Sequence, residues 1–400
     1  MPAATARTYD SLHMGRSSID LYSNDVGTPF VNITSFAAYV GGSPTNISVG
    51  ARRLGLKSAI VTGVGYDPVG DFILHFLNNE GVDTQYTVRK QGRRSSAVVL
   101  GIEPPDKFPL VYYRDNCADS ALCEDDVNED FIRDAGALLV TGTHFAREVN
   151  DKAQRKAMAL AKKHGRRIII DIDYRPNLWG LAGHGAGEER YIKSDKVTAH
   201  LQSILADCDL IVGTEEEVHI AGGTENTLEA LRAIRKISKG VIVLKRGPMG
   251  CVVYPNDIPA KLEDGIVGKG FPIEVYNVLG AGDAFMSGFL RGWLKNEPYE
   301  ICATWANACG AFAVSRLLCS PEYVTWEELQ YFLKNGSPHK ALRKDEALNH
   351  IHHATTRRTQ WPKLLAFAID HRKQLEEMAD AAGAPRERIA PFKRLAMQAL

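Results

Sequence analysis

Two glycines and a carboxylate, Gly280, Gly282 and Asp283, stand together in the segment Asn277-Val278-Leu279-Gly280-Ala281-Gly282-Asp283-Ala284-Phe285. Downstream, an apolar side chain recurs every four residues at Phe285, Phe289 and Trp293, and Leu290 and Leu294 widen the stripe, so a core-facing helix starts near Gly282. The first turn of a helix has backbone N–H groups without intrahelical acceptors and carries the positive end of the macrodipole. Glycines there let an anion approach the bare backbone of Gly280, Ala281 and Gly282, and a phosphoryl group in transfer is such an anion. Asp283, on the same turn, can accept a proton from an attacking hydroxyl, the part a carboxylate plays in kinase-type phosphoryl transfer. The same residue types also build an ordinary Gly-rich turn with an Asp helix cap, and this segment alone does not separate the two.

Arg114 and Arg175 are the second set of residues with chemistry to offer. Each guanidinium is a planar fork suited to two-pronged pairing with a carboxylate or phosphate. Both sit in segments that end strand-like runs, and ligands of an open α/β sheet bind at the carboxyl ends of its strands. An acidic sugar would suit such a pair, although Arg114 can also pair with Asp115 or Asp119. The sequence lacks Gly-x-x-x-x-Gly-Lys-Ser/Thr, so a Walker-type P-loop is absent. Gly183-His184-Gly185-Ala186-Gly187 has the glycines of a dinucleotide loop without its strand-turn-helix setting and reads as a flexible loop.

The elements that must carry these residues alternate. Ser58 to Val64 is an apolar, β-branched run, followed by a helix with Phe72, Ile73, Phe76 and Leu77 on one face and Gly81 as its stop. Further short buried strands are expected at Ala137 to Gly142, Arg167 to Ile172, Asp209 to Gly213 and Val241 to Lys245. Helices are expected at about Asn150 to His164, Thr198 to Ala206 and Leu228 to Ile237. This alternation predicts a doubly wound, mostly parallel α/β sheet flanked by helices. Val26 to Tyr39 and Ser95 to Arg114, the latter including Pro104-Pro105-Asp106, break the pattern and predict a small separate β-sheet over the site.

Composition bounds the function class. With 44% apolar residues in 400, a large core is available, and 48 Lys plus Arg against 48 Asp plus Glu leaves no global field for nucleic acid or an acidic membrane. The chain has no membrane-spanning apolar run, and Met1 to Ser11 lacks the apolar centre of a secretory signal, so a cytoplasmic location is expected. The seven cysteines are scattered without a Cys-x-x-Cys pair, which argues against a disulfide framework or a zinc site. His350, His352 and His353 read as part of a solvated loop.

Gly280-Ala281-Gly282-Asp283, together with Gly41-Gly42-Ser43-Pro44-Thr45-Asn46 upstream, resembles the two signatures of the ribokinase/PfkB family of carbohydrate kinases. The resemblance runs from about Gly15 to about Leu333. Within the family it is most similar to bacterial 5-dehydro-2-deoxygluconokinases of inositol breakdown, through Tyr112 to Asp119, Asp171 to Trp179 and Gly213 to Glu217. It implies a ribokinase-like fold over residues 1–337 with a β-sheet lid from about 20–40 and 92–116, and a homodimer formed through that lid. It also implies ATP and a sugar acid as ligands, Mg2+, and in some members a monovalent cation.

Residue by residue, the resemblance makes Asp283 the general base, Gly280, Ala281 and Gly282 the anion hole, and Arg175 a neighbour of the transferred phosphate or of the acid. Asp20, Gly41, Gly42, Asn46 and Arg114 fall on sugar-contacting positions, and Lys245, Gly247, Gly250 and Asn307 on nucleotide-binding ones. Glu216 falls on the Glu that organises magnesium through water, with Gly213 where the family has Asn. The expected reaction is phosphorylation of 5-dehydro-2-deoxygluconate on O6. The alternatives are 2-dehydro-3-deoxygluconate or fructose as substrate, or a non-catalytic sugar-binding regulatory module. Tyr66 and Leu317-Leu318 depart from the family pattern, near a turn by the sugar and at the nucleotide edge.

Beyond about Ser337 the character changes. Residues 340–400 hold 12 Lys or Arg against 7 Asp or Glu. Leu364 to Arg372 reads as a buried strand, followed by a helix near Gln374 to Ala382. The segment resembles the opening of the aldolase-like barrel domain fused to some bacterial 5-dehydro-2-deoxygluconokinases, which implies that residues 338–400 are a linker and a truncated start of such a domain; the alternative is a strand-helix appendage packing on the kinase.

Overall fold

The computed structural model describes residues 7–104, 107–356, 363 and 365–399. The apolar runs form an eight-stranded sheet in the order Ile266–Gly268, Cys251–Tyr254, Val241–Lys245, Leu210–Thr214, Arg167–Asp171, Ala137–Thr141, Ser11–Met14, Ser58–Val61. The six strands from Val241–Lys245 onward pair in parallel, and the two at the other edge are antiparallel. Strands such as Ala137–Thr141 are buried along their whole length because helices cover both faces, which is why they read as unbroken apolar runs rather than alternating ones. The expected helices appear as Glu148–Lys163, Asp195–Leu205 and Thr227–Ile237.

A second sheet of four strands, ordered Phe36–Gly41, Ser18–Ser23, Ser96–Leu100, Leu110–Tyr113, stands apart from the first. Its central strand Ser18–Ser23 follows directly on Ser11–Met14 of the large sheet, so one short link joins the two layers. Pro105 and Asp106 of the expected turn lie outside the described residues.

Three expectations are corrected. Residues 338–356 are not a linker: the first compact unit runs to Arg357. Leu342 and Leu348 are buried in its core, and Arg343 pairs with Glu274 at 2.5 Å. The histidines are not on a loop but on the helix Glu346–Thr356, where His352 is buried and its Nδ1 lies 2.9 Å from Glu328 Oε2. Glu328 in turn pairs with buried Arg316, so a polar network fixes this helix where apolar periodicity gave no sign of it.

The expected strand at Leu364 to Arg372 is also absent. Leu364 is outside the described residues, and Leu365 and Phe367 are irregular and 80% and 51% exposed. A strand needs a partner ladder for its N–H and C=O groups, and among the described residues none pairs with this segment. The helix after it forms as Lys373–Ala381, within a second compact unit of residues 358–400.

The packing of 338–356 makes a measurable distinction. Leu348→Ala, at a fully buried site, is expected to lower the stability of the first unit by about 2–5 kcal/mol in urea unfolding. Leu365→Ala, at an exposed one, should stay within about 0.5 kcal/mol.

Candidate functional site

The strand Arg167–Asp171 delivers Asp171 at its end and Asp173 two residues on, with Asp173 held at φ 36°, a left-handed conformation unusual for a residue with a side chain. What holds it is a buried network. Arg16 Nη1 lies 2.9 Å from Asp173 Oδ2 and donates to Thr143 Oγ1 at 2.6 Å, and Thr143 donates to the same Asp173 oxygen at 2.7 Å. Each member comes from the carboxyl end of a different strand: Arg16 follows Ser11–Met14, Thr143 follows Ala137–Thr141, and Asp173 follows Arg167–Asp171.

Asp283 sits in the first turn of the helix Ala281–Leu294, capped by Gly280 at φ 74°. A Cβ on Gly280 would lie 2.5 Å from Cys319 Sγ and 2.7 Å from Tyr323 Oη, and Tyr323 donates to the Gly280 carbonyl at 2.6 Å, so the turn is fixed from behind. The Ala284 N–H donates to Gly280 at 3.0 Å, whereas Gly282 and Asp283 precede the first residue that can reach an intrahelical carbonyl. A Cβ on Gly282 would meet only Lys245 Nζ, at 3.4 Å, so the turn's outer face is open to a ligand.

The carboxylate of Asp283 accepts from Asn46 Nδ2 at 2.9 Å. Burial and the nearby charge of Asp173 lift its pKa to about 6, against the opposing pull of Asn46 and Arg16. Asn46 belongs to the helix Ser43–Arg53, entered through Gly41 and Gly42. Both glycines are required by space. A Cβ on Gly41 would lie 1.8 Å from Asp20 Oδ2, and Gly42, at φ 105°, would collide with the Arg16 carbonyl at 2.7 Å. Asp20 is buried, accepts from Ser18 Oγ at 2.6 Å, and is raised to about 7 by that burial.

On the other side of the turn, Lys245 ends the strand Val241–Lys245 with Nζ 3.2 Å from Asp171 Oδ1 and 3.5 Å from Glu217 Oε2. Burial disfavours its charge, but the two carboxylates more than reverse this and move its pKa well above the ordinary ammonium range. Glu217 is further tied by accepting from the Thr214 N–H at 2.7 Å.

A cavity of about 870 Å3 brings Arg175, Glu216, Lys245, Gly247, Gly250, Gly280, Ala281, Gly282, Asp283 and Asn307 together, within the roughly 300–1,000 Å3 span of small-molecule sites. Gly250, at φ 88°, has room for no side chain, since a Cβ would be 2.0 Å from the Gly268 carbonyl. Asn307 Nδ2 lies 3.5 Å from Cys251 Sγ. The Nε of Arg175 is buried without a hydrogen-bond partner among the described residues, 3.7 Å from Asp173 Oδ1.

Arg114 is placed differently. Both Nε and Nη2 reach Asp119 Oδ2, at 3.2 and 2.6 Å, which is the ion-pair alternative, and Arg114 lines a separate cavity of about 70 Å3 with Thr143, His144 and Asn177. Gly213 in place of Asn also has a local cause, since a Cβ there would lie 2.7 Å from Ile172 Cδ1. Tyr66 is 67% exposed with Arg89 over its ring, so its departure from the family pattern falls on the surface. Arg16, Thr143, Asp171, Asp173 and Glu217 are absent from the sequence-derived site set. The one available signal was the Asp-x-Asp spacing at a strand end.

Residues 10–325 match the family described as pfkB family carbohydrate kinase, and residues 328–400 match one described as uncharacterized protein conserved in bacteria (DUF2090). The chain is 30% identical over 350 residues to a 5-dehydro-2-deoxygluconokinase of Geobacillus kaustophilus, covering 86% of this chain and 99% of that protein. It is 29% identical to the one of Bacillus subtilis, over 83% and 98%. Among solved structures, a PfkB protein from Polaromonas superposes with a TM-score of 0.66 at 25% identity, over 80% of this chain and 99% of that one. Fructokinase from Vibrio cholerae with fructose, ADP and calcium bound superposes at 0.67 and 23% identity, over 82% and 99%. With the family match spanning residues 10–325, and both glycine signatures meeting at Asn46 and Asp283, the chain belongs to the pfkB family of carbohydrate kinases.

Proposed function

We propose that this carbohydrate kinase transfers the γ-phosphoryl group of ATP to the O6 hydroxyl of 5-dehydro-2-deoxygluconate, a step of inositol breakdown. The observation that carries the reading is Asp283. It is a half-buried carboxylate on an open helix N-terminus, held by Asn46 from the sugar-side signature and bordering a cavity that also reaches Lys245 and Asn307. The sugar acid is supported by the names of the relatives and by Arg175, whose buried Nε has no hydrogen-bond partner among the described residues.

In this reading Asp283 takes the hydroxyl proton as the O–P bond forms, and the N–H groups of Gly282 and Asp283 hold charge on the transferring group. Arg175 orients the acid or the phosphoryl oxygens. Asp171 and Glu217 are committed to Lys245, whereas Glu216 is exposed on the cavity wall, so Glu216 is the carboxylate that fits a hydrated Mg2+. Bound there with ATP, the ion would neutralise phosphate charge. The four-stranded sheet would act as the lid and the dimer surface.

ADP release should be fastest with 5-dehydro-2-deoxygluconate among that compound, 2-dehydro-3-deoxygluconate, fructose and ribose; faster turnover of fructose would move the assignment to a neutral sugar. Asp283→Asn should cut kcat by about 100- to 10,000-fold with ATP binding retained, and an active variant would remove Asp283 as the base.

The pH profile adds a sign. Asp283 must be ionised to accept a proton, so kcat/KM should fall as pH drops through about 6 rather than through the usual carboxylate value near 4. Asn46→Ala deletes a donor to the ionised form and should move that limb upward; a limb that stays in place would show that Asn46 does not act on Asp283.

A further inference from the structure

The Gly183 to Gly187 loop finds no place in the chemistry above, yet the segment containing it borders both cavities. It leaves the strand Arg167–Asp171 and returns at the helix Asp195–Leu205. On its way out, Asn177, Leu178 and His184 line the small cavity beside Arg114. On its way back, Arg190 lines the large cavity with Arg175, Thr214, Glu216 and Lys245.

Both flanks of Arg190 are tied down. Upstream, Gly187 lies so close to the four-stranded sheet that a Cβ would be 2.0 Å from the Leu110 carbonyl, and Glu188 Oε1 accepts from the Phe108 N–H. Downstream, Tyr174 Oη donates to the Ile192 carbonyl at 2.6 Å, and the Tyr191 ring meets His219 edge-on at 6.3 Å. Glu189 Oε1 accepts from the N–H groups of Arg190 and Tyr191, both at 3.2 Å, which fixes the backbone at the arginine itself. The loop is therefore a strap from the small sheet to the helix Glu215–Gly222, with one cation at the cavity wall.

Charge explains what a cation there is for. The cavity is lined by Asp171, Asp173, Glu216, Glu217 and Asp283, while its cations are Lys245, Arg175 and Arg190. Lys245 is matched by Asp171 and Glu217, and Arg175 leans on Asp173 at 3.7 Å. A polyphosphate brings several further negative charges into a space already rich in carboxylates, and a guanidinium fork matches phosphate oxygens.

We propose that Arg190 is a phosphate-binding residue of the nucleotide site, positioned by the strap that joins it to the small sheet. The proposal rests on the kinase reading and is separable from it. Calorimetric titration of the full chain with adenosine, ADP and ATP, in wild type, Arg190→Met and Arg190→Lys, tests it. Arg190→Met should weaken ADP and ATP about tenfold or more and leave adenosine unchanged, with Arg190→Lys recovering part of the loss. Equal ADP affinity in wild type and Arg190→Met would overturn the assignment. So would an equal loss of adenosine and ADP, which would mark Arg190 as a wall residue without phosphate contact. Wild type that binds none of the three would instead remove the kinase reading from which the proposal starts.

Discussion

Asp20, Asp171 and Asp173 are buried and Asp283 is half-buried around one site, and the rest of the structure depends on the charges gathered with these four carboxylates. Isolated carboxylates would not stay ionised there, because desolvation and their mutual repulsion both disfavour the charged form. Arg16 against Asp173 and Lys245 against Asp171 answer two of the four, at 2.9 and 3.2 Å. Asp20 and Asp283 receive neutral donors instead, from Ser18 and Asn46. Burial raises the pKa of Asp20 to about 7 and of Asp283 to about 6, and it raises that of ion-paired Asp171 as well, so the ion pair with Lys245 does not by itself set Asp171 apart; Asp283 differs in standing on the open N-terminus of a helix. A base with a pKa near neutrality drives proton transfer better than an ordinary carboxylate would.

The fold supplies these charges from strand ends far apart in sequence. Arg16 and Asp173 are 157 residues apart and Asn46 and Asp283 are 237 apart, yet the parallel sheet puts the first pair on strand ends either side of Ala137–Thr141, whose Thr143 bridges them, and the helices following the glycine turns bring in the second. The glycines are part of the same constraint. Gly41, Gly42 and Gly280 stand where a methyl group would strike Asp20, the Arg16 carbonyl or Cys319, so they serve close approach as much as flexibility.

A second buried network, Arg316, Glu328 and His352, attaches the helix Glu346–Thr356 to the first unit. Burial pulls the His352 pKa down, against the hydrogen bond to the Glu328 carboxylate that supports the charged form. Among its described residues the second unit shows no comparable core: Met378 on the helix Lys373–Ala381 and Phe392, Leu395 and Met397 on the helix Ile389–Gln398 are all more than half exposed.

The sequence by itself determined the parallel core and the glycine-carboxylate turn at the start of the helix Ala281–Leu294. Buried strands such as Val241–Lys245 are continuous apolar runs, and the glycine-carboxylate turn precedes a four-residue apolar repeat, so both are local patterns with local causes. It also pointed to the small sheet through the β-formers at Val26 to Tyr39 and Ser95 to Arg114 that interrupt the alternation, which overlap the strands Phe36–Gly41, Ser96–Leu100 and Leu110–Tyr113, whereas the strand Ser18–Ser23 lies outside both segments. It misread the Leu364 to Arg372 segment, where apolar residues suggested a strand but strand formation requires a partner ladder. It placed three histidines in a loop, because a helix held by one buried ion network has little apolar periodicity to show. Only the tertiary structure decided that Arg114 closes on Asp119, that Arg16 and Thr143 hold Asp173 at a positive φ, and that Glu216 rather than Glu217 faces the cavity unpaired with Lys245. Pairing between charges depends on distances across strands, and residue type alone does not say which of several nearby carboxylates a cation will reach.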